Sequence, residues 1–488
     1  MVAAALAAAG PVSAGTPEFD PGTQRETQLL SQTYDGTWPD GPSQDPAFSQ
    51  DRQYASVAAF DSDANNLVPG DTNGTTDVFA AYRKQPYTLA GEPWQIDSTE
   101  LVSRGLGGQP ADGPSYLPDV GGDQIHTPRC IAFVSAADNL VPGDTNGKPD
   151  VFVYDLYTQQ IQRVSVGSGG VQSDGTLGDR GNDAGLQGLT FLASADSHGV
   201  AGNGDSAELS FARSPDGCGG LKTCADSGAE ALYFTSSAQN LSPNDKDPGA
   251  DIYTRRFVRD DRLDPVAVRT RLITLGADGE SHHPATNNSG RYVAFTTSAD
   301  NMFPGDTNAS LDVVRVDTAT TPFRVEDVSR SRAVGEEGNG DSDEPSISRP
   351  GSPVFFASDA SDLQPTPPTR PGVYADENRS RDVFFWNSSH KVWLVGRDSK
   401  NRIVNQPSRY ASRVARRRVP PVVAGPTDHP AASAYGNYVL FESTYPLMDL
   451  GIAGPVLPAA DLVPGPAAQL SQTQASFHQV YLRYIGPR

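Results

Sequence analysis

At 488 residues the chain is long enough for two or three ordinary domains, or for one repeat array with a continuous core. Only 37% of it is hydrophobic, while 48 Gly and 40 Pro point to many short strands joined by turns and away from a helical protein. A formal charge of -21 argues against nucleic acid as a partner, and no apolar run after the first residues is long enough to span a bilayer.

The chain opens with MVAAALAAAGPVSAGT, whose small apolar run and Val-Ser-Ala step before Gly15 look like the back half of a secretory signal. A basic start is missing, so an Ala-rich tail is the alternative. The expectation is a leader over residues 1–24 and one domain over 25–488, exported to the cell envelope or beyond.

From Thr27 onward a unit recurs: an outer strand, a short segment opened by Pro, a turn, then a strand–loop–strand hairpin. The hairpin is plainest from Ile131 to Asp155, IAFVSAADNLVPGDTNGKPDVFVYD, with alternating apolar residues around a Pro-Gly-Asp-Asn-Gly loop. Other copies start at Ser56, Ala231, Tyr292, Val354 and Tyr438, the last reaching its second strand only at FHQVYLRY. Pro46, Pro284, Pro345 and Pro430 open the short segments, and ELSFARSPDG from Glu208 fills the slot in the third unit. LTFLASADS, from Leu189, reads as an insertion with a strand of its own.

Outer strands are TQLLSQ at Thr27, ELVSRG at Glu100, QRVSVG at Gln162, RLITLG at Arg271, EDVSRS at Glu326 and VWLVGRD at Val392. They run out of phase with the hairpins: the chain begins on an outer strand and stops after a hairpin that lacks one. Joining the two closes a ring. The predicted fold is therefore all-β, a six-bladed propeller of four-stranded antiparallel blades whose last blade is completed by the N-terminal strand. Unit spacing exceeds the ~40–50 residues common for propeller repeats, and long inter-blade connections account for the excess.

The pattern Pro-x-x-Ser-x-x-Gly-x-x-Val-Ala-Phe, a polar loop, Asp-Val-Phe-Val-Tyr-Asp and a closing Arg-Val-Ser resembles the propeller repeats of TolB-type proteins. It is carried by Pro284, Gly290, Val293, Ala294, Phe295 and Asp312 in the fourth unit, and by Phe133, Asp150, Val151, Tyr154 and Asp155 in the second. The resemblance implies a six-bladed propeller, usually exported and often binding a protein through its face or central channel. The elongated hairpin loop departs from that pattern, and no segment resembles TolB's separate N-terminal domain, so the Tol-system role does not carry over.

Five hairpin loops carry Asp-x-[Asn/Asp]-x-x-x-Asp: Asp71/Asn73/Asp77, Asp144/Asn146/Asp150, Asp245/Asp247/Asp251, Asp306/Asn308/Asp312 and Asp376/Asn378/Asp382. Short oxygen-bearing side chains around a Gly turn can converge on Ca²⁺, which takes six to eight oxygens. The same residues equally make Asx turns and pin the start of the following strand. Both readings stand on sequence alone.

Cys218 and Cys224 bracket the loop CGGLKTC and can close a local disulfide, or remain two surface thiols; Cys130 reads as a small buried hydrophobe. His282 and His283 precede Pro284 near the expected channel mouth. A basic run, Arg409, Arg413, Arg416, Arg417 and Arg418, can dock an acidic partner or fold onto the protein's own carboxylates. No His-Glu-x-x-His, Gly-x-Ser-x-Gly or phosphate-binding Gly loop occurs. The expectation is a monomeric, non-catalytic scaffold for a protein or glycan. The alternatives are a channel enzyme such as a glycoside hydrolase, lyase or peptidase, or a structural protein whose one ligand is calcium.

Overall fold

In a computed structural model, the described residues are 27–49, 51, 54–85, 94–121, 128–145, 147–165, 194–212, 230–246, 248–259, 265–331, 337–363, 381–395, 427–443 and 478–484. Among them, strands fall into six four-stranded antiparallel sheets, with one turn of 3-10 helix at Leu106–Gly108. After β1 (Thr27–Leu29), blade 1 is β2 (Ser43–Phe48), β3 (Val57–Ser62), β4 (Asp77–Arg83) and β5 (Ile96–Leu101). Blade 2 is β6 (Ser115–Val120), β7 (Cys130–Ser135), β8 (Asp150–Asp155) and β9 (Gln160–Arg163). Blade 3 is β10 (Ser206–Ala212), β11 (Glu230–Ser236), β12 (Asp251–Arg259) and β13 (Pro265–Leu272). Blade 4 is β14 (Ser281–Thr286), β15 (Tyr292–Thr297), β16 (Asp312–Asp317) and β17 (Arg324–Asp327). Blade 5 is β18 (Ser342–Ile347), β19 (Val354–Ser358), β20 (Asp382–Asn387) and β21 (Lys391–Leu394). Blade 6 is β22 (Thr427–Ala432), β23 (Tyr438–Ser443) and β24 (Gln479–Tyr484), and its outer edge is β1.

That last pairing is the predicted closure. Thr27, Gln28 and Leu29 lie opposite Arg483, Leu482 and Tyr481. Around the seam, Arg483 Nη1 donates to Thr27 Oγ1 at 2.7 Å and Ser31 Oγ donates to Gln479 Oε1 at 2.7 Å. The Leu30 amide donates to the Val480 carbonyl at 2.8 Å.

The second and third strands of each blade are buried on both faces, so they read as apolar runs in the sequence rather than as strict alternation. Five blades stack an aromatic pair directly across them: Phe60–Phe79, Phe133–Phe152, Phe234–Tyr253, Phe356–Phe384 and Phe441–Tyr481, with centroids 5.8–6.2 Å apart. Blade 4 pairs Phe295 with Val314 instead. Among the described residues one apolar cluster, around Phe234 and Tyr253, lies within blade 3, and the other five span blade boundaries: Phe60, Phe79 and Trp94 of blade 1 pack with Tyr438, Leu440 and Tyr484 of blade 6. Each such ring removed from water contributes roughly 1.5–3 kcal/mol, and it does so only while the adjoining blade is in place.

The last Asp of the loop motif opens the third strand of its blade and clasps the next strand outward. Ser103 donates to Asp77, Ser165 to Asp150, Thr274 to Asp251 and Ser329 to Asp312. In each case the same hydroxyl accepts the backbone N–H that follows the Asp. Blade 5 borrows Thr427 from blade 6 to hold Asp382, at 3.2 Å. In blade 6, Gln479 replaces the Asp, and its hydroxyl comes from Ser31 beyond β1. The loop motif thus carries the clasp even where its sequence is lost.

One sequence-level boundary moves. The short segments do not open at Pro; each begins three residues earlier, and Pro46, Pro284, Pro345 and Pro430 sit inside β2, β14, β18 and β22. Every one of these strands carries a register shift there, and a bulge is where a strand tolerates a residue without an N–H. Cys130 begins β7 and is half-buried, more accessible than a core residue. Cys218, Cys224 and the strand expected within residues 189–193 lie outside the described residues; Ala195, which follows, bridges Ala201.

Removing residues 1–31 should bare the edge of β24 and abolish cooperative unfolding, whereas Leu29→Ala, at a fully buried position, should cost about 2–5 kcal/mol in urea titration. Unchanged melting of the truncated chain would separate the two ends of the ring.

Candidate functional site

The first strand of every blade borders one cavity of about 440 Å³ on the propeller axis. Its wall is made of Pro46–Phe48, Leu117–Gly121, Glu208–Ser210, His283–Thr286, Glu344–Ile347 and His429–Ala432, joined by Asn288 and Arg349. The bulge in each strand explains what faces the axis. At each one, a single residue adopts a left-handed backbone: Asp45 (φ 50°), Leu117 (53°), Glu208 (54°), His283 (53°), Glu344 (51°) and His429 (46°). Few non-glycine residues tolerate that conformation, and six at equivalent positions constitute a designed feature of the ring.

The six alternate. Blades 1, 3 and 5 present a carboxylate, and blades 2, 4 and 6 present Leu, His and His. Two of the resulting neighbours pair across the blade boundary: His283 Nε2 with Glu208 Oε1 at 3.4 Å, and His429 Nε2 with Glu344 Oε1 at 3.2 Å. Three of the bulge amides are tied to the preceding blade as well. Asp45 N–H donates to Glu442 Oε1 at 2.8 Å, Leu117 N–H to Asp61 Oδ2 at 3.0 Å and His283 N–H to Glu208 Oε2 at 2.7 Å.

Charges in this ring are fixed. Burial opposes ionisation of Glu208, but His282, the Thr235 hydroxyl and the His283 amide outweigh it and hold the carboxyl at about 2. His282 is raised by Glu208 against the effect of burial. Glu442 is 2% exposed and receives His429 Nδ1 at 3.3 Å and His478 Nδ1 at 3.2 Å. Those imidazoles overcome its burial and keep it at about 2. Burial works against the charge of His429 too, yet Glu344 and Glu442 on its two nitrogens raise it to about 11.

Glu344, Asp428 and His429 offer ligand atoms all within 4.8 Å of one another, a spacing that suits a metal. Positive charge is already supplied there, however. Arg381 Nε donates to Asp428 Oδ1 at 2.8 Å, its Nη2 holds Asp343, and His429 carries its own proton between two carboxylates. The cluster is an ion-pair network joining blades 5 and 6.

His283 lines the channel, as the sequence placed it, though on β14 and not on a loop, while His282 beside it lies outside the cavity wall against Glu208 and Glu280. Glu208, Glu344, His429 and Glu442 escaped sequence reasoning. A signal was present: Asp45-Pro46, Leu117-Pro118, His283-Pro284, Glu344-Pro345 and His429-Pro430 put the axial residue one place before the repeated Pro, with Leu209 replacing Pro in blade 3.

The hairpin loops sit apart from the channel and differ in how their carboxylates are met. In blade 1, Asn73 Nδ2 donates to Asp77 Oδ2 at 2.7 Å, and burial, then Asp77 and Asp40, raise Asp71 to about 6. In blade 2, Arg163 Nη1 lies 2.9 Å from Asp144 Oδ1 and 3.6 Å from Asp150 Oδ2. In blade 3, Tyr253 Oη donates to Asp245 at 2.6 Å. In blade 4, Asn308 closes an Asx turn onto the Ser310 amide and donates to the Gly338 carbonyl. Asn146, Asp247, Asp376 and Asn378 lie outside the described residues, as do Arg409, Arg413, Arg416, Arg417 and Arg418.

No known family profile and no curated protein matches the chain in sequence. Solved structures similar to it include a candidate TolB from Agrobacterium tumefaciens, with 14% identity over 76% of this chain and 87% of that one, at a TM-score of 0.33. A subtype N11 neuraminidase-like protein of a flat-faced bat influenza virus has 9% identity over 95% and 94%, at 0.33. Inulosucrase from Halalkalicoccus jeotgali, bound to kestose, has 12% identity over 76% and 91%, at 0.31. Likenesses this distant carry no argument about activity; the propeller stands on its sheet order and register.

Glu442→Gln should destabilise the protein by about 1–3 kcal/mol by leaving His429 half-paired. Glu442 is depressed from 4.5 to about 2, so its contribution is present above pH 4.5 and fades as pH falls toward 2. His429 is raised from 6.5 to about 11, so its contribution is full below pH 6.5 and fades as pH rises toward 11. The gap in unfolding free energy between wild type and variant should therefore be widest from pH 4.5 to 6.5. Denaturant melts across pH check this, and a gap independent of pH would contradict it.

Proposed function

We propose that the protein is an exported, non-catalytic propeller that binds a protein or glycan partner at its channel. The observation that supports this most is the state of the axial groups. A general acid or base works best with its proton poised near the operating pH. Glu208 and Glu442 are held at about 2 and His429 at about 11, so each keeps one charge throughout the physiological range. Fixed, hydrogen-bonded charges on rigid strands suit recognition, and the cavity mixes them with Leu117, Leu209 and Ile347 in the manner of a ligand site. Export rests on the leader-like first residues.

His283 is the axial residue to alter, since its side chain is half exposed and its loss removes one ion pair to Glu208 while the backbone amide still donates to that carboxylate. A pull-down from the native secretome and a glycan panel, each run with wild type and His283→Ala, should show binding weakened by roughly tenfold or more, about 1.4 kcal/mol. Binding indifferent to both His283→Ala and Glu344→Gln would remove the channel from the interface. Polysaccharide or peptide cleavage by the wild type that Glu344→Gln abolishes would replace the binding reading with the enzyme one.

A further inference from the structure

Strand register defines one slot in every blade, on the outer strand directly across from the third position of the strand beside it. Leu101, Leu272, Leu394 and Leu29 fill it in blades 1, 3, 5 and 6, facing Phe79, Tyr253, Phe384 and Tyr481. Blade 2 has Arg163 in the slot, facing Phe152, and its guanidinium is the cation that bridges Asp144 and Asp150. Blade 4 has Asp327, facing Val314. The same pair of loop carboxylates, Asp306 and Asp312, thus meets a third negative charge where blade 2 supplies a positive one.

Among the described residues, Arg330 offsets part of this charge at Asp327 and several carboxylate oxygens stay without a hydrogen bond. Asp312 is 2% exposed; Ser329 holds its Oδ1, and its Oδ2 has no hydrogen-bond partner. Asp306 Oδ1 and Asp327 Oδ2 are likewise buried without a partner. Glu337 and Asp341 add to the negative field at Asp312, and the exposed Arg330 offsets part of it at Asp327. Burial leads in all three: followed by Glu337 and Asp300 it raises Asp306 to about 6, followed by Asp306 and Glu337 it raises Asp312 to about 7, and followed by Asp312 and Asp306 it raises Asp327 to about 8. Three carboxylates in one buried place are costly unless a counter-ion joins them.

We propose that Asp306, Asp312 and Asp327 of blade 4 bind one Ca²⁺ ion, which stands where the Arg163 guanidinium stands in blade 2. An all-oxygen donor set of three carboxylates, completed by water and backbone carbonyls, suits a hard cation with flexible geometry. The three side chains stand wider apart than the Glu344, Asp428 and His429 group, so the ion draws them together on binding. Asn308 is committed to its turn and is not a ligand. Blade 2 needs no ion because it carries its own.

Calorimetric titration of Ca²⁺ into the chelator-treated full chain tests this, using wild type, Asp327→Leu (the residue of four other blades) and Asp327→Arg (the arrangement of blade 2). Each variant should bind one equivalent fewer than wild type, or bind it at least about tenfold more weakly, and both should melt above wild type in chelator because a buried charge conflict is gone. Calcium should raise the wild-type melting temperature more than theirs. Absence of any calcium binding by wild type overturns the proposal. So does binding by both variants at the wild-type stoichiometry and affinity. Should one variant fold poorly, the other still decides the comparison.

Discussion

The seam between β1 and β24 governs the whole molecule. Among the described residues, five of the six apolar clusters span a blade boundary, and the aromatic pairs of blades 1, 2, 5 and 6 are each covered by the blade before them. An open array would leave the blade 1 pair without the blade 6 residues Tyr438, Leu440 and Tyr484 that cover it; closing the ring supplies them. Closure joins positions 448 residues apart, such as Ser31 and Gln479. The entropic penalty for so long a loop is modest: relative to a contact within one blade, such as Ser103 to Asp77, it is about four doublings in length, roughly 2.5 kcal/mol. Burial of one or two rings offsets that, which is why three residues of β1 and a few hydrogen bonds suffice.

The channel is built by a separate device from the one that builds the blades. The Asp–Ser clasps, the aromatic stacks and the seam all belong to the outer three strands. The axial residues belong to bulges, where the ladder is interrupted and Pro is tolerated. A bulge turns a side chain out of the pleat toward the axis, so chemistry at the channel is decoupled from register on the sheet.

Much of this was legible in the sequence. Six self-similar hairpins, and an outer strand out of phase with them, are enough to derive both the blade count and the seam. The loop motif was legible too, but its meaning was not, because Asp and Asn serve turns, clasps and ions with the same spacing. Only the partner of each carboxylate separates these uses: Asn73 at Asp77, Arg163 at Asp144, Tyr253 at Asp245. The channel was the least legible part. Its groups come from six distant segments, and treating Pro as the start of each strand hid the residue just before it. Glu442 was beyond reach altogether, since it lies on a second strand and is recruited only through His429 and the amide of Asp45 on another blade.

The carboxylate-to-amide bonds at the bulges run one way round the ring: Glu442 to the amide of Asp45, Asp61 to that of Leu117, Glu208 to that of His283. At these three boundaries the earlier blade hands its successor an acceptor, whereas in blade 6 the His429 amide turns to Asp428 of its own strand. Repeats with this polarity are not interchangeable modules. Excising or duplicating a blade would set a donor against the wrong neighbour, so the number of blades is locked by local chemistry as well as by curvature. Such a lineage can diversify an axial side chain such as Leu117 more readily than Glu208, which is itself the acceptor for the next blade.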